Sequence, residues 1–100
     1  AIFAQLSPPD LARAAAARLV AEPTGLRTTP MRVSDDGWGR IPRTYIECRQ
    51  DRTIPLADQR LMQEMSPGSR IVSLDCDHSP FLSDPDGLTR ALLYCLPGAA

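Results

Sequence analysis

Lysine is absent from this chain: all eleven of its basic residues are arginine, set against twelve acidic ones. The net charge of −1 and pI near 5.7, with no basic block anywhere, give no electrostatic footprint for nucleic acid or an anionic membrane surface. No apolar run approaches the roughly 18 residues that a membrane span needs, and no charged-then-apolar start marks a signal peptide. The cytoplasm is therefore the expected location, argued only by absence. Cysteine is scarce: Cys48, Cys76 and Cys95 are an odd count at wide spacing with no C-x-x-C. That points away from a zinc site or redox pair and toward small, buried apolar residues. Histidine occurs once, at His78, and no repeat or low-complexity stretch interrupts the order of the chain.

What is present is ordinary for a globular protein: 43% hydrophobic and 23% charged over 100 residues allow one small domain at most. Ser7-Pro8-Pro9-Asp10 reads as a helix start, with Ser7 as N-cap, Pro8 at the first helical position and Asp10 in the first turn. The helix is expected to run to about Ala21 with Leu11, Ala15 and Leu19 on one face, and Glu22-Pro23-Thr24-Gly25 ends it. From there to Pro42 no period is visible, and Ser34-Asp35-Asp36-Gly37 reads as a surface turn, pinned to the body by Met31 and Trp38.

The organising stretch is Thr44 to His78. Thr44-Tyr45-Ile46-Glu47-Cys48 is a strand and Pro55 opens a helix. Ser66-Pro67-Gly68 breaks that helix, and Arg70-Ile71-Val72-Ser73-Leu74 is a second strand, ending at Asp75-Cys76-Asp77-His78. A β-α-β unit has parallel strands and a right-handed crossover, so Asp51 and His78, each just past a strand's carboxyl end, share one edge of the sheet. Open α/β sheets bind ligands at that edge. The crossover helix carries Ala57, Leu61 and Met65 at four-residue spacing, which reads as a core stripe. A last helix from Ser83 or Asp84 carries Leu88, Leu92, Cys95 and Leu96.

An acid and a histidine at neighbouring strand ends are the two supporting members of a nucleophile-base-acid relay. The imidazole takes the nucleophile's proton, and the carboxylate fixes its tautomer. A lone histidine beside Asp77 is equally compatible with a structural, hydrogen-bonded role. A metal site at Asp75, Cys76, Asp77 and His78 is disfavoured, because contiguous side chains point in different directions. Glu47 lies within the strand and points across a sheet face, which makes it the poorer relay acid.

The run Arg43 to Pro55, then Gln59-Arg60, and Asp77-His78 followed by Leu82 and Pro85, resembles the carboxyl-terminal part of α/β-hydrolases of the plant methyl esterase and hydroxynitrile lyase group and their bacterial esterase relatives. Ser7-Pro8-Pro9-Asp10-Leu11 is similar to the end of that family's cap segment. The resemblance implies an α/β fold in which residues 1–42 are the end of a helical cap and its return loop. Residues 43–100 are then the last β-α-β-α part of the hydrolase core. It implies Asp51 as the relay acid, His78 as the base, Asp77 as a residue that shapes the histidine loop, a small-molecule ester as substrate, and no cofactor.

Two departures qualify it. The family's nucleophile sits in a G-x-S-x-G elbow, and none of the serines here has glycine at both flanking positions. Lyases of the group carry lysine next to the histidine; here Ser79 follows it, which favours ester hydrolysis. Two strands and three short helices also cannot cover both faces of a parallel sheet. The chain is thus expected to be a hydrolase fragment that meets a missing amino-terminal half or another chain, or forms oligomers. The alternative is a non-catalytic fragment, or a degenerate hydrolase-fold interaction domain.

Overall fold

The computed structural model of the chain describes residues 2–98. In chain order the elements are α1 (Pro9–Ala17), α2 (Gly25–Thr28), a 3-10 turn (Trp38–Arg40), β1 (Arg43–Cys48), α3 (Leu56–Met65), β2 (Ser69–Leu74), α4 (Pro80–Ser83) and α5 (Pro85–Cys95). The two strands are parallel and paired in register from Arg43 opposite Ser69 to Cys48 opposite Leu74. Their carboxyl ends are therefore level. Beyond them the ladder continues, with Arg49 N donating to Leu74 O (2.9 Å) and Gln50 N to Cys76 O (3.0 Å), so the two following loops leave side by side.

Local punctuation explains the boundaries. Pro55 occupies the N-cap position of α3, with no side-chain cap, and Gly68, at φ +96°, turns the chain into β2 in the left-handed region that glycine reaches without Cβ strain. Asp84 caps α5, its Oδ1 accepting from Gly87 N at 2.9 Å. Ser73 faces Glu47 on the α3 side of the sheet. Arg70, three positions earlier and so on the other face, donates to Tyr94 O of α5 and lies 4.4 Å from the Tyr94 ring centroid.

Several expectations about packing are overturned. The Leu61 and Met65 stripe of α3 is exposed (54% and 77%), and the helix instead turns Gln59 inward. In α5 the buried row is Gly87 and Ala91, while Leu92 and Leu96 face out. Periodicity identifies an apolar face; it does not decide whether another element covers it. Helix α1 stops at Ala17 rather than Ala21 and has no buried residue, so little apolar burial supports an extension of the helix. Met31 is exposed. Trp38 does pin its turn, stacking 3.9 Å from the Arg43 guanidinium, which donates onward to Pro67 O.

Among the described residues the buried apolar side chains are Ala4, Cys76 and Ala91, whereas Ser7, Glu47, Gln59, Asp77 and Ser79 are buried polar ones. Hydrogen bonds, more than apolar packing, therefore fix the interior around the sheet's carboxyl edge. Cys48 and Cys95 are half-buried. No helix among the described residues is long and apolar enough to cross a membrane.

Candidate active site

Asp51 sits in the loop after β1 and His78 in the loop after β2. Because the strands are parallel and level, the 27 positions between them collapse to one contact, His78 Nδ1 donating to Asp51 Oδ2 at 2.7 Å. An ionised carboxylate can only accept, which places the imidazole proton on Nδ1 and leaves Nε2 as the basic nitrogen. The Asp51 side chain is 6% exposed and that of His78 34%, so the carboxylate is sheltered while the imidazole is reachable.

The Asp51 carboxylate is built to stay ionised. Burial alone would raise its pKa. The bond to His78 and those from Ile54 N (2.9 Å) and Thr53 N (2.7 Å) to Oδ1 outweigh that and hold it below the usual carboxylate range. Oδ1 is thereby committed to the loop backbone, and Oδ2 is turned to the histidine.

Asp77, fully buried, points the other way. Its Oδ2 accepts from Leu6 N (2.9 Å) and Ser7 Oγ (3.0 Å), and its Oδ1 from Ser79 N (2.9 Å). Here too burial would raise the pKa, but donors led by Ser79 N and Leu6 N hold it low. Asp77 therefore ties the histidine loop to the segment before α1. Ser7 is spent on this bond, which is why α1 begins after Pro8 with no side-chain cap. Asp75 accepts from Gln50 Nε2 (3.1 Å), so the acids around His78 diverge.

The segment so anchored lies across the site. Ser79 Oγ donates to Phe3 O (2.6 Å), Thr53 Oγ1 donates to Ile2 O (3.2 Å), and the Phe3 ring lies 5.7 Å from the imidazole, tilted by 57°. Nothing in the local sequence marks Phe3, because its neighbour is more than seventy residues away. Glu47 belongs to a separate network: it accepts from Arg60 Nη2 (3.2 Å), Ser73 Oγ (2.7 Å) and Gln63 Nε2 (3.1 Å), which bring its pKa down to about 2 against the opposing effect of burial. A cleft of about 550 Å³ opens beside that network, and neither Asp51 nor His78 lines it. Two of the thiols, Cys48 and Cys76, are held in the protonated, weakly nucleophilic form. Burial, then the neighbouring Cys48 thiol, pushes Cys76 up to about 12, and burial raises Cys48 as well.

Residues 1–91 match the model described as the alpha/beta hydrolase family. The chain belongs to the alpha/beta hydrolase family. Among curated relatives, this chain is 47% identical over 53 residues to a pyrethroid hydrolase of Sphingobium wenxiniae (52% of the chain, 19% of the relative). It is 35% identical over 61 residues to methylesterase 1 of Arabidopsis thaliana (60% and 23%). It is also 31% identical over 93 residues to the putative chloroplastic methylesterase 13 of the same plant (92% and 21%). The chain thus spans about a fifth of the length of these relatives. No solved structure matches it significantly. The resemblance read from Arg43 to Pro55 and from Asp77-His78 is that of the methyl esterases and their bacterial relatives.

Proposed function

We propose that this hydrolase chain supplies the acid and the base of a serine-type esterase that acts on small-molecule carboxylic esters. The observation that carries the reading is the 2.7 Å contact between His78 Nδ1 and Asp51 Oδ2 at the carboxyl edge of a parallel pair. Relatives named methylesterase and pyrethroid hydrolase support the ester as the substrate class. The nucleophilic serine comes from residues outside these 100, since no G-x-S-x-G elbow occurs in them.

In the reaction, the basic Nε2 of His78 takes the serine proton as the hydroxyl oxygen bonds to the ester carbonyl carbon. The imidazolium returns that proton to the alcohol oxygen as the acyl–oxygen bond breaks. Water then repeats the sequence on the acyl-enzyme, and Asp51 holds the Nδ1 proton and stabilises the imidazolium throughout. Phe3, beside the imidazole, gives the approach to His78 an apolar wall suited to an uncharged ester.

Burst kinetics on an aryl ester test this, with the chain alone and joined to an upstream segment bearing the elbow. The chain alone should not exceed the background of a free imidazole. The joined protein should acylate, His78→Ala should abolish acylation, and Asp51→Asn should cost at least about a hundredfold, against about 10⁴ for the same change in a related relay. An active joined protein in which Asp51→Asn costs less than about tenfold defeats the acid assignment. An inactive one favours a non-catalytic hydrolase-fold domain.

A further inference from the structure

We propose that Gln59 is the positioning residue for Asp51: its carboxamide staples both ends of the acid loop and so sets the carboxylate against His78. This rests on Asp51 and His78 as acid and base and deepens that reading. Arg49 N points at β2, where it donates to Leu74 O. Successive residues of a strand alternate their backbone groups between its two edges, so the N–H and C=O of Cys48 face away from β2, toward the edge of β1 where a further strand would pair. Gln59 takes both. Its Oε1 accepts from Cys48 N (2.9 Å) and its Nε2 donates to Cys48 O (2.8 Å), the pattern a neighbouring peptide would offer. The second Nε2 hydrogen goes to Ile54 O (2.8 Å).

The loop Cys48 to Ile54 is thus closed by one side chain, and Asp51 hangs between the two held residues. Asp51 N donates to Cys48 O (3.3 Å), and Asp51 Oδ1 accepts from Ile54 N and Thr53 N. A continuous series of bonds runs from Gln59 through Ile54 and Asp51 to His78 Nδ1. Only a glutamine fits this position chemically. It offers one acceptor and two donors at the end of a stem long enough to reach past α3, and it is 3% exposed, so water does not replace it. An asparagine is one methylene short, a glutamate has no donor for the two carbonyls, and a methionine keeps the shape with neither function.

The single histidine makes the test direct, because every imidazole ¹⁵N and ring N–H resonance of this chain belongs to His78. Wild type should show the Nδ1–H tautomer with a strongly downfield Nδ1 proton. In Gln59→Met the Nδ1–H fraction should fall at least about twofold, since an undirected imidazole shares its proton between both nitrogens, and the downfield signal should weaken. Gln59→Glu, should the methionine variant not fold, should show the same loss. An unchanged Nδ1–H resonance in either folded variant overturns the staple. If both variants lose the fold, Gln59 is a determinant of the fold as a whole and its positioning role is also overturned. The two readings fail separately. A joined protein that is inactive although Gln59→Met gives the expected tautomer change counts against the hydrolase reading and leaves the staple standing.

Discussion

The hydroxyl of Ser7 donates to Asp77 Oδ2 at 3.0 Å across 70 positions of sequence, binding the segment that precedes α1 to the residue that precedes His78. Ser7→Ala removes one buried hydrogen bond and should cost about 1 kcal/mol. Asp77→Ala leaves Leu6 N, Ser79 N and Ser7 Oγ without their acceptor and should cost on the order of 3 kcal/mol or more. Urea denaturation measures both. Hydrogen exchange should show Leu6 and Ser79 amides losing protection in Asp77→Ala before the strands do; equal loss everywhere would show that the bond serves the fold rather than the segment.

Glu47 sets part of the acid sensitivity. Its pKa is about 2 in the folded chain against an ordinary 4.5, because the bonds from Arg60 and Ser73 favour the ionised form. A depressed folded value means that the stabilisation is fully present above pH 4.5 and is lost as pH falls toward 2. Arg60 is largely exposed, so the net amount is on the order of 2 kcal/mol or less. The urea midpoint should drop between pH 6 and pH 3 in wild type. In Glu47→Gln it should start lower and vary less over that interval, and an identical pH slope in the two proteins would remove Glu47 from the account.

Two glycines are placed by geometry. A Cβ at Gly87 would overlap the Asp84 carboxylate that caps α5, so Gly87→Ala should displace the cap and cost about 1 kcal/mol. Gly68→Ala keeps ordinary space around the new Cβ but places alanine at φ +96°, at a cost of roughly 1–2 kcal/mol. Gly25, with nothing near its would-be Cβ and no positive φ, is the control: Gly25→Ala should leave the thermal midpoint unchanged or slightly raised.

The apolar residues that face outward, among them Val20, Leu61, Met65, Leu92 and Leu93, should make the isolated chain associate. The edge of β1 away from β2 adds backbone groups able to pair with another chain. Sedimentation velocity should find species larger than the monomer or, with an added partner segment, a defined complex. A compact monomer that unfolds cooperatively would count against the reading of this chain as part of a larger hydrolase.

The sequence by itself determined the β-α-β unit, because its signals are local: β-branched runs for the strands, Pro55 and Pro85 at helix starts, Gly68 where φ must be positive. It also located Asp51 and His78, since parallel strands of equal length bring residues just past their ends to one edge whatever the loops do. Tertiary structure alone decided which apolar stripe is covered. Leu61 and Met65 have helical spacing but are exposed, while Gln59, a polar residue two positions before Leu61, is buried because Cys48 and Ile54 present unpaired backbone groups there. The partners of Ser7 and Phe3 lie seventy or more positions away, and a hydroxyl that can cap a helix can equally donate to a distant carboxylate. Local pattern fixes where an element starts and which face is apolar; the choice among competing hydrogen-bond partners is made only when the chain brings them together.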